Sequence, residues 1–375
     1  MQRWRWLHTW SSLVCTVFML VLCVTGLPLV FSHEIRHLTQ TVIEAPALPV
    51  ATPRASLDRV VETARGFHPA LVPLYLFAEE DEPALWTVKM DTRPDTDESA
   101  ARFVVIDART ALPLGEPRFD DGFMSVMYRL HVDLFAGLAG KLFLGLMGVL
   151  LLVALVSGVV LYVPFMRKLA FGTVRRERAP RIVWLDLHNM LGIVTVAWAL
   201  VVGATGVVNT WADLILQAWQ REQVTALRAG HADATAPVDG ASLQAAADVV
   251  LAAFPDKAVS TIAFPGTLLS TPAHFTFMLR GNTPLTSKLV EPVLVDPLTS
   301  QIIDAAPRPW YATALLLSQP LHFGDYGALP LKVLWAALDA ITIVVLWSGV
   351  VLWWRKRRAA KAADRAATRV AESPA

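Results

Sequence analysis

Nine histidines are spread over the 375 residues of this chain, and four of them stand in two matched contexts. Trp4, Leu7, His8 and Thr25-Gly26 recur, at one constant shift, as Trp184, Leu187, His188 and Thr205-Gly206. Leu130-His131, Lys141 and Ser157-Gly158-Val159-Val160-Leu161 recur at another, as Leu321-His322, Lys332 and Ser348-Gly349-Val350-Val351-Leu352. A histidine repeated in two like halves can face its counterpart across a pseudo-twofold axis, and haem iron is commonly held by axial imidazole. His8 and His188 each open an apolar block, and His131 and His322 each precede one. The four therefore suit two bis-histidine b-type haems at two depths. His8 cannot share an iron with His131, because about 24 residues of helix, roughly 36 Å, separate it from the far end of its own block.

Other residues suggest supporting roles. Asp186 and Asn189 flank His188, and Asp133 and Asp325 follow His131 and His322. Such groups can orient a ligating imidazole or cap a helix. Lys141 and Lys332 suit haem propionates or snorkelling to the interface. Asp339, inside the last apolar block, reads as a proton or polar-network site, since an acid there usually faces the bundle interior. Gly137, Gly140, Gly145 and Gly148 permit close helix contact or a flat ring against the backbone. Gly324, Gly327 and Pro330 separate His322 from its block, so His33, beside Glu34 and with His37 behind it, is the substitute outer ligand. His68, His231 and His274 show no mutual spacing of a metal site and read as surface residues. The only cysteines, Cys15 and Cys23, lie in the first apolar block with no C-x-x-C-H. That excludes covalent haem attachment, a four-thiolate cluster and a disulfide framework.

The elements that must position these residues are membrane spans. The chain is 54% apolar and only 17% charged, against about a quarter charged in an ordinary soluble domain. Its apolar residues gather in four blocks, Trp6–Phe31, Leu142–Val163, Val183–Val208 and Val333–Trp354, each near the ~20 residues that cross a bilayer. The first is too long for a signal peptide's apolar region, and no A-x-A site follows directly, so it reads as a retained helix. Arg3 and Arg5, then Arg167, Lys168, Arg175, Arg176, Arg178 and Arg181, then Arg355, Lys356, Arg357 and Arg358 flank the blocks on one side. The excess of basic residues assigns that side, and both termini, to the cytoplasm. Trp184, Trp353, Trp354 and Tyr162 fall near the same interface.

The two outer loops also match. Ala55-Ser56-Leu57 and Ala241-Ser242-Leu243 open amphipathic stretches ending near His68-Pro69 and at Phe254-Pro255. Strand-like runs follow, Leu85–Met90 with Phe103–Asp107 in one loop and Phe275–Leu279 with Pro292–Asp296 in the other. Asp107 then pairs with Asp296 and Thr110 with Thr299. The expected fold is an all-α membrane bundle of four transmembrane helices in a two-fold internal repeat, with two small α+β modules outside. By residue, the organisation is a first span in 1–32, a module in 33–130, a histidine segment and second span in 131–166 and a basic loop in 167–182. A third span in 183–208, a second module in 209–330, a fourth span in 331–354 and a basic tail in 355–375 complete it.

On Trp4…Leu7-His8, Thr25-Gly26 with Phe31 and Glu34, Leu130-His131-x-Asp133-Leu134, Ser157-Gly158, Asp186-Leu187-His188-Asn189 and Leu321-His322, the chain resembles the PepSY-associated transmembrane family. That family includes iron-regulated membrane proteins and siderophore reductases. The resemblance covers nearly everything before the tail. It implies PepSY-like periplasmic modules and a bacterial inner-membrane, di-haem b reductase passing electrons to periplasmic ferric iron, as a ferric-siderophore complex. Ligation by His8, His188, His131 and His322 is read onto these residues from their spacing. Phe323-Gly324 after His322, where His131 has Val132-Asp133, departs from strict repetition. Two other functions fit the same spans: a membrane-anchored regulator whose modules bind a peptide, protease or sensor partner, and an iron or siderophore transporter.

Overall fold

The structure is a computed structural model; it describes every residue except 40–41, 50, 79–81, 97–99, 118–121, 167–168, 231–240, 284–285, 306–308 and 372–375. Arg167, Lys168 and His231 thus lie outside the described residues. The chain divides into two compact units, Met1–Ser32 with Asp121–Trp211 and Ser318–Ala375, and His33–Asp120 with Ala212–Leu317.

The first unit is helical. Four helices are long and apolar enough to cross a membrane: α1 (Gln2–Val30) and, numbered here in chain order, α5 (Gly137–Met166), α6 (Pro180–Thr210) and α10 (Ala328–Ala371). Three of the four expected blocks fall inside them, and the first, Trp6–Phe31, overruns the end of α1 by one residue; a few residues are added at most other ends. The exception is α10, which runs on through nearly all of the expected basic tail. The spans form a ring in which α1 packs on α5, α5 on α6, α6 on α10 and α10 on α1. Cys15, Met19 and Met147 are buried in it, whereas Val14, Val17, Val24, Leu146, Val156 and Val194 point outward. An outward apolar surface is what lipid requires, since lipid tails are as apolar as these side chains. Gly145 and Gly148 belong to helix packing: a Cβ on Gly145 would lie 2.5 Å from Thr210 Oγ1, and one on Gly148 2.8 Å from Val207, both on α6.

Two short helices complete this unit, α4 (Gly122–Val132) and α9 (Trp310–Phe323, from Ser318 onward). Each carries its histidine as its penultimate residue, and α4 packs against α1.

The second unit is built on α3 (Leu57–Phe67), α8 (Leu243–Ala253) and eight strands. These are β1 (Val72–Ala78), β2 (Leu85–Asp91), β3 (Arg102–Asp107), β4 (Pro113–Gly115), β5 (Lys257–Ala263), β6 (Phe275–Gly281), β7 (Val290–Val295) and β8 (Ile302–Asp304). The expected matching strand runs fall in β2, β3, β6 and β7. The strands of the two expected modules share one sheet. The strands form one antiparallel sheet in the order β4-β3-β2-β1-β5-β6-β7-β8, joined where Tyr75, Leu76 and Phe77 of β1 pair with Ala263, Ile262 and Thr261 of β5. Alone, each module would expose an unpaired edge at β1 or β5, and pairing them removes both edges. The all-α class therefore describes the bundle and not the whole chain.

Local chemistry explains why the repeat folds twice alike. Ser56 and Ser242 cap α3 and α8, accepting from the N–H of Arg59 and Ala245, the usual role of serine there. Asp58 crosses between the copies: its carboxylate accepts from Ser242 Oγ at 2.6 Å and from the Leu243 N–H at 2.6 Å, while the Leu57 N–H donates to Gln244 Oε1. After β3 and β7, Asp107 and Asp296 accept from the N–H groups of Arg109 with Thr110 and of Leu298 with Thr299. Val60, Leu76, Val88, Ile106, Val250, Ile262, Phe277 and Val295 lie in one core under α3 and α8.

Candidate functional site

The bundle brings the four repeat histidines together as two pairs. The His8 and His188 rings lie with centroids 6.3 Å apart at 71°, and the His131 and His322 rings 6.1 Å apart at 60°. Two imidazoles sharing one iron would stand roughly 6.2 Å apart between centroids, from metal–nitrogen bonds of about 2.0 Å and ring radii of about 1.1 Å. Both pairs match that separation.

Each ring is held the same way. His8 Nδ1 lies 2.9 Å from the Ala154 carbonyl and 3.3 Å from Ser157 Oγ. His188 Nδ1 lies 3.2 Å from the Val345 carbonyl and 2.8 Å from Ser348 Oγ. His131 Nδ1 meets the Leu22 carbonyl and Thr25 Oγ1, both at 3.0 Å, and His322 Nδ1 meets the Val202 carbonyl at 2.9 Å and Thr205 Oγ1 at 3.4 Å. A carbonyl can only accept, so each Nδ1 carries the proton and each Nε2 keeps its lone pair. That is the tautomer a metal-ligating histidine needs, fixed by the hydrogen bond on its other nitrogen.

A glycine lies under every ring. A Cβ on Gly158 would approach His8 Cε1 to 3.1 Å, on Gly26 His131 to 3.2 Å, on Gly206 His322 to 3.0 Å and on Gly349 His188 to 3.6 Å. The four Ser-Gly and Thr-Gly dipeptides of the repeat are thus the cradles of its four histidines. In the sequence they mark the repeat and the family resemblance, and their recurrence is itself the signal of this role.

Two of the expected carboxylate partners, Asp186 and Asp133, act elsewhere. Asp186 pairs with Arg175, its Oδ1 2.8 Å from Nη2, and accepts from the Arg175 N–H. It anchors the basic loop and does not orient His188. Asp133 accepts from the Phe135 N–H at 2.8 Å, shaping the turn after α4 where Leu134 and Phe135 are left-handed. Asp339 of α10 lies beside Cys23 of α1. His33 and His37 lie together on α2 (Ser32–Leu38), their Nε2 atoms 3.2 Å apart. His68 is partly buried, with Nε2 2.6 Å from Glu116. His274 is not a surface residue: it is 3% exposed and its Nδ1 lies 2.6 Å from Thr271 Oγ1. Nothing in its local pattern marked it, because its burial comes from a turn packed against β6.

Outside the spans, three carboxyls are held low: Asp91, by the N–H of Thr92 first and the Thr96 hydroxyl next, and Asp107 and Asp296. Burial alone would raise Asp107, but hydrogen bonds from the Arg109 side chain and from the N–H of Arg109 and Thr110 outweigh it. At Asp296 the N–H of Thr299 dominates over burial, with Leu298 adding to it.

The sequence matches the PepSY-associated TM region across residues 5–356. The chain belongs to that family. The uncharacterized protein PA4219 of Pseudomonas aeruginosa is 35% identical to it over 86 residues, 23% of this PepSY-associated chain and 21% of PA4219. The shared segment thus spans about a fifth of that relative's length.

Proposed function

We propose that this PepSY-associated membrane protein is a bacterial inner-membrane reductase holding two b-type haems, one between His8 and His188 and one between His131 and His322. It passes electrons from a cytoplasmic or membrane donor outward to periplasmic ferric iron, presented as a ferric-siderophore complex. The observation that carries the reading is the geometry of four imidazoles, paired at 6.3 and 6.1 Å, every Nδ1 tied to a carbonyl. When bound, haem supplies the one-electron redox chemistry that the side chains lack. The protein's own residues fix the tautomer, keep the rings from turning and surround them with apolar helix. The pairs lie at two depths: seventeen residues of helix separate His8 from Thr25, and seventeen separate His188 from Thr205 (25 − 8 and 205 − 188). That is roughly 26 Å of rise, most of a hydrocarbon core of about 30 Å.

The direction follows from charge. Arg3, Arg5, the Arg175–Arg181 loop and Arg355–Arg358 assign the His8–His188 pair to the cytoplasmic side. Arg357 and Arg358 lie over the rings of Trp353 and Trp354 at 4.6 and 4.0 Å, a pairing suited to that interface. Reduction weakens iron's hold on hard oxygen ligands, so the metal is released from its chelate.

The purified protein tests this. A reducible Soret band with two haems per chain is expected. Both His8→Ala and His188→Ala should lose one haem, with reduction of a ferric-siderophore lost in both. A folded, colourless chain would refute the reading and favour a membrane-anchored regulator.

A further inference from the structure

We infer that His33, His37 and Glu82 form a binding site for a divalent transition metal of the Zn(II) or Fe(II) type. These residues are in the second unit and none belongs to the paired imidazoles of the bundle, so the inference is independent of the haem reading. One ligand atom from each of the three lies within 4.8 Å of the others. His33 Nε2 and His37 Nε2 are 3.2 Å apart, and His37 Nε2 is 3.5 Å from Glu82 Oε1. Ligands bound at about 2.0–2.1 Å in a tetrahedral site stand roughly 3.3–3.4 Å from one another. The two separations bracket that edge length.

The partner of the other His37 ring nitrogen points the same way. His37 Nδ1 lies 3.1 Å from Glu44 Oε1, and a carboxylate accepts only. Nδ1 therefore has an acceptor of its own in Glu44, and Nε2, between Glu82 and His33, is the atom a metal would take. A carboxylate behind a histidine is also the usual arrangement that fixes a metal-ligating ring and raises its basicity. Glu44 is thus a positioning residue, and the three ligands are His33, His37 and Glu82.

The sequence supplies the histidines by helical spacing. His33-Glu34-Ile35-Arg36-His37 sets the two rings four residues apart on one face of α2. It has the form H-E-x-x-H, whose histidines bind zinc when a third ligand completes the set. Two imidazoles and one carboxylate suit zinc, and equally ferrous iron, and both kinds of site keep positions open for water or substrate.

The test uses the full-length protein in detergent, free of tag histidines, stripped with chelator and dialysed. Titration calorimetry with Zn(II), and metal analysis after dialysis against Zn(II) or anaerobic Fe(II), should give one equivalent bound at micromolar affinity or tighter. His37→Ala and Glu82→Gln should each weaken Zn(II) binding at least 100-fold. Glu44→Gln should weaken it about tenfold, the lower end of the loss seen for residues behind a ligand, while His68→Ala should match the wild type. The thermal melt and the Soret band of each variant report folding and the bundle sites separately. Equal Zn(II) uptake by wild type, His37→Ala and the conservative Glu82→Gln would overturn the inference, whatever the haem content.

Discussion

Replacing Gly206 by alanine sets a methyl carbon 3.0 Å from His322 Cε1, whereas the same change at Gly349 sets it 3.6 Å from His188 Cε1. The first contact is too short and the second is ordinary van der Waals contact. Relieving the first needs a shift of about 0.4 Å, and metal-ligand distances hold to within about 0.2 Å. The His322 ring cannot slide freely, because its Nδ1 is tied to the Val202 carbonyl at 2.9 Å. Gly206→Ala should therefore break either the ligand geometry or the bond that fixes the tautomer. A lost supporting partner weakens a metal site about 10–100-fold, so detergent-purified Gly206→Ala should retain one haem where the wild type retains two. Gly349→Ala should retain both, and alanine's better helix propensity should make its helix more stable by up to about 1 kcal/mol. Haem per chain, from a pyridine haemochrome assay normalised to protein, reads the difference. Two haems in Gly206→Ala, or equal loss in both variants, would show that the glycines do not cradle ligands.

If His8 and His188 serve one iron, the double alanine variant should lose no more haem than either single variant, a non-additivity that separate sites would not give. Asp58→Ala removes the acceptor shared by Ser242 and the Leu243 N–H and should cost about 1–2 kcal/mol, read as faster limited proteolysis between the two copies in the second unit. Asp107 has a folded pKa below its unfolded value. Its contribution is therefore fully present above about pH 4 and is lost as pH falls through the depressed value. Thermal melts should fall more steeply from pH 5 to pH 3 in wild type than in Asp107→Asn, which at pH 7 should already be less stable by about 1.5–3 kcal/mol.

The spans were legible because bilayer thickness imposes a length that composition alone meets, and the repeat was legible because Trp, His and Lys recur among interchangeable aliphatics. The same repeat matched the strands, caps and Asp turns, since Ser56 with Ser242 and Asp107 with Asp296 act through local backbone bonds. The joining of β1 to β5 was hidden, because edge pairing depends on a partner far away in sequence and leaves no periodic trace. The carboxylates beside the histidines misled for a similar reason. Asp186 is adjacent to Leu187-His188 in sequence, but on a helix consecutive residues point in different directions, and its side chain meets Arg175 instead. The partners of the rings came from other helices, through dipeptides that sequence showed but adjacency could not assign. The H-E-x-x-H of α2 stood in plain view as well, yet its third member, Glu82, is 45 residues on (82 − 37) and only the fold brings it near.

The arrangement of cradles explains why both halves are needed. Each half holds its own rings: His8 rests on α5 and His131 on α1, while His188 rests on α10 and His322 on α6. Each half nonetheless supplies a single imidazole to each pair, and the second arrives only where α1 meets α10 and α5 meets α6. The departure from repetition after His322 does not disturb this. Glycine at Gly324, with φ of 78°, ends α9 one residue after Phe323, and Trp335 Nε1 donates to the Leu321 carbonyl at 3.3 Å. In the other half Asp133 and the left-handed Leu134 and Phe135 end α4 at the matching place. Different residues thus stop two short helices at the same point, so each histidine sits in a last turn whose exit is fixed. The halves have diverged in how the chain turns back and not in where the imidazole is delivered, which is the pattern expected if ring position is the constrained quantity.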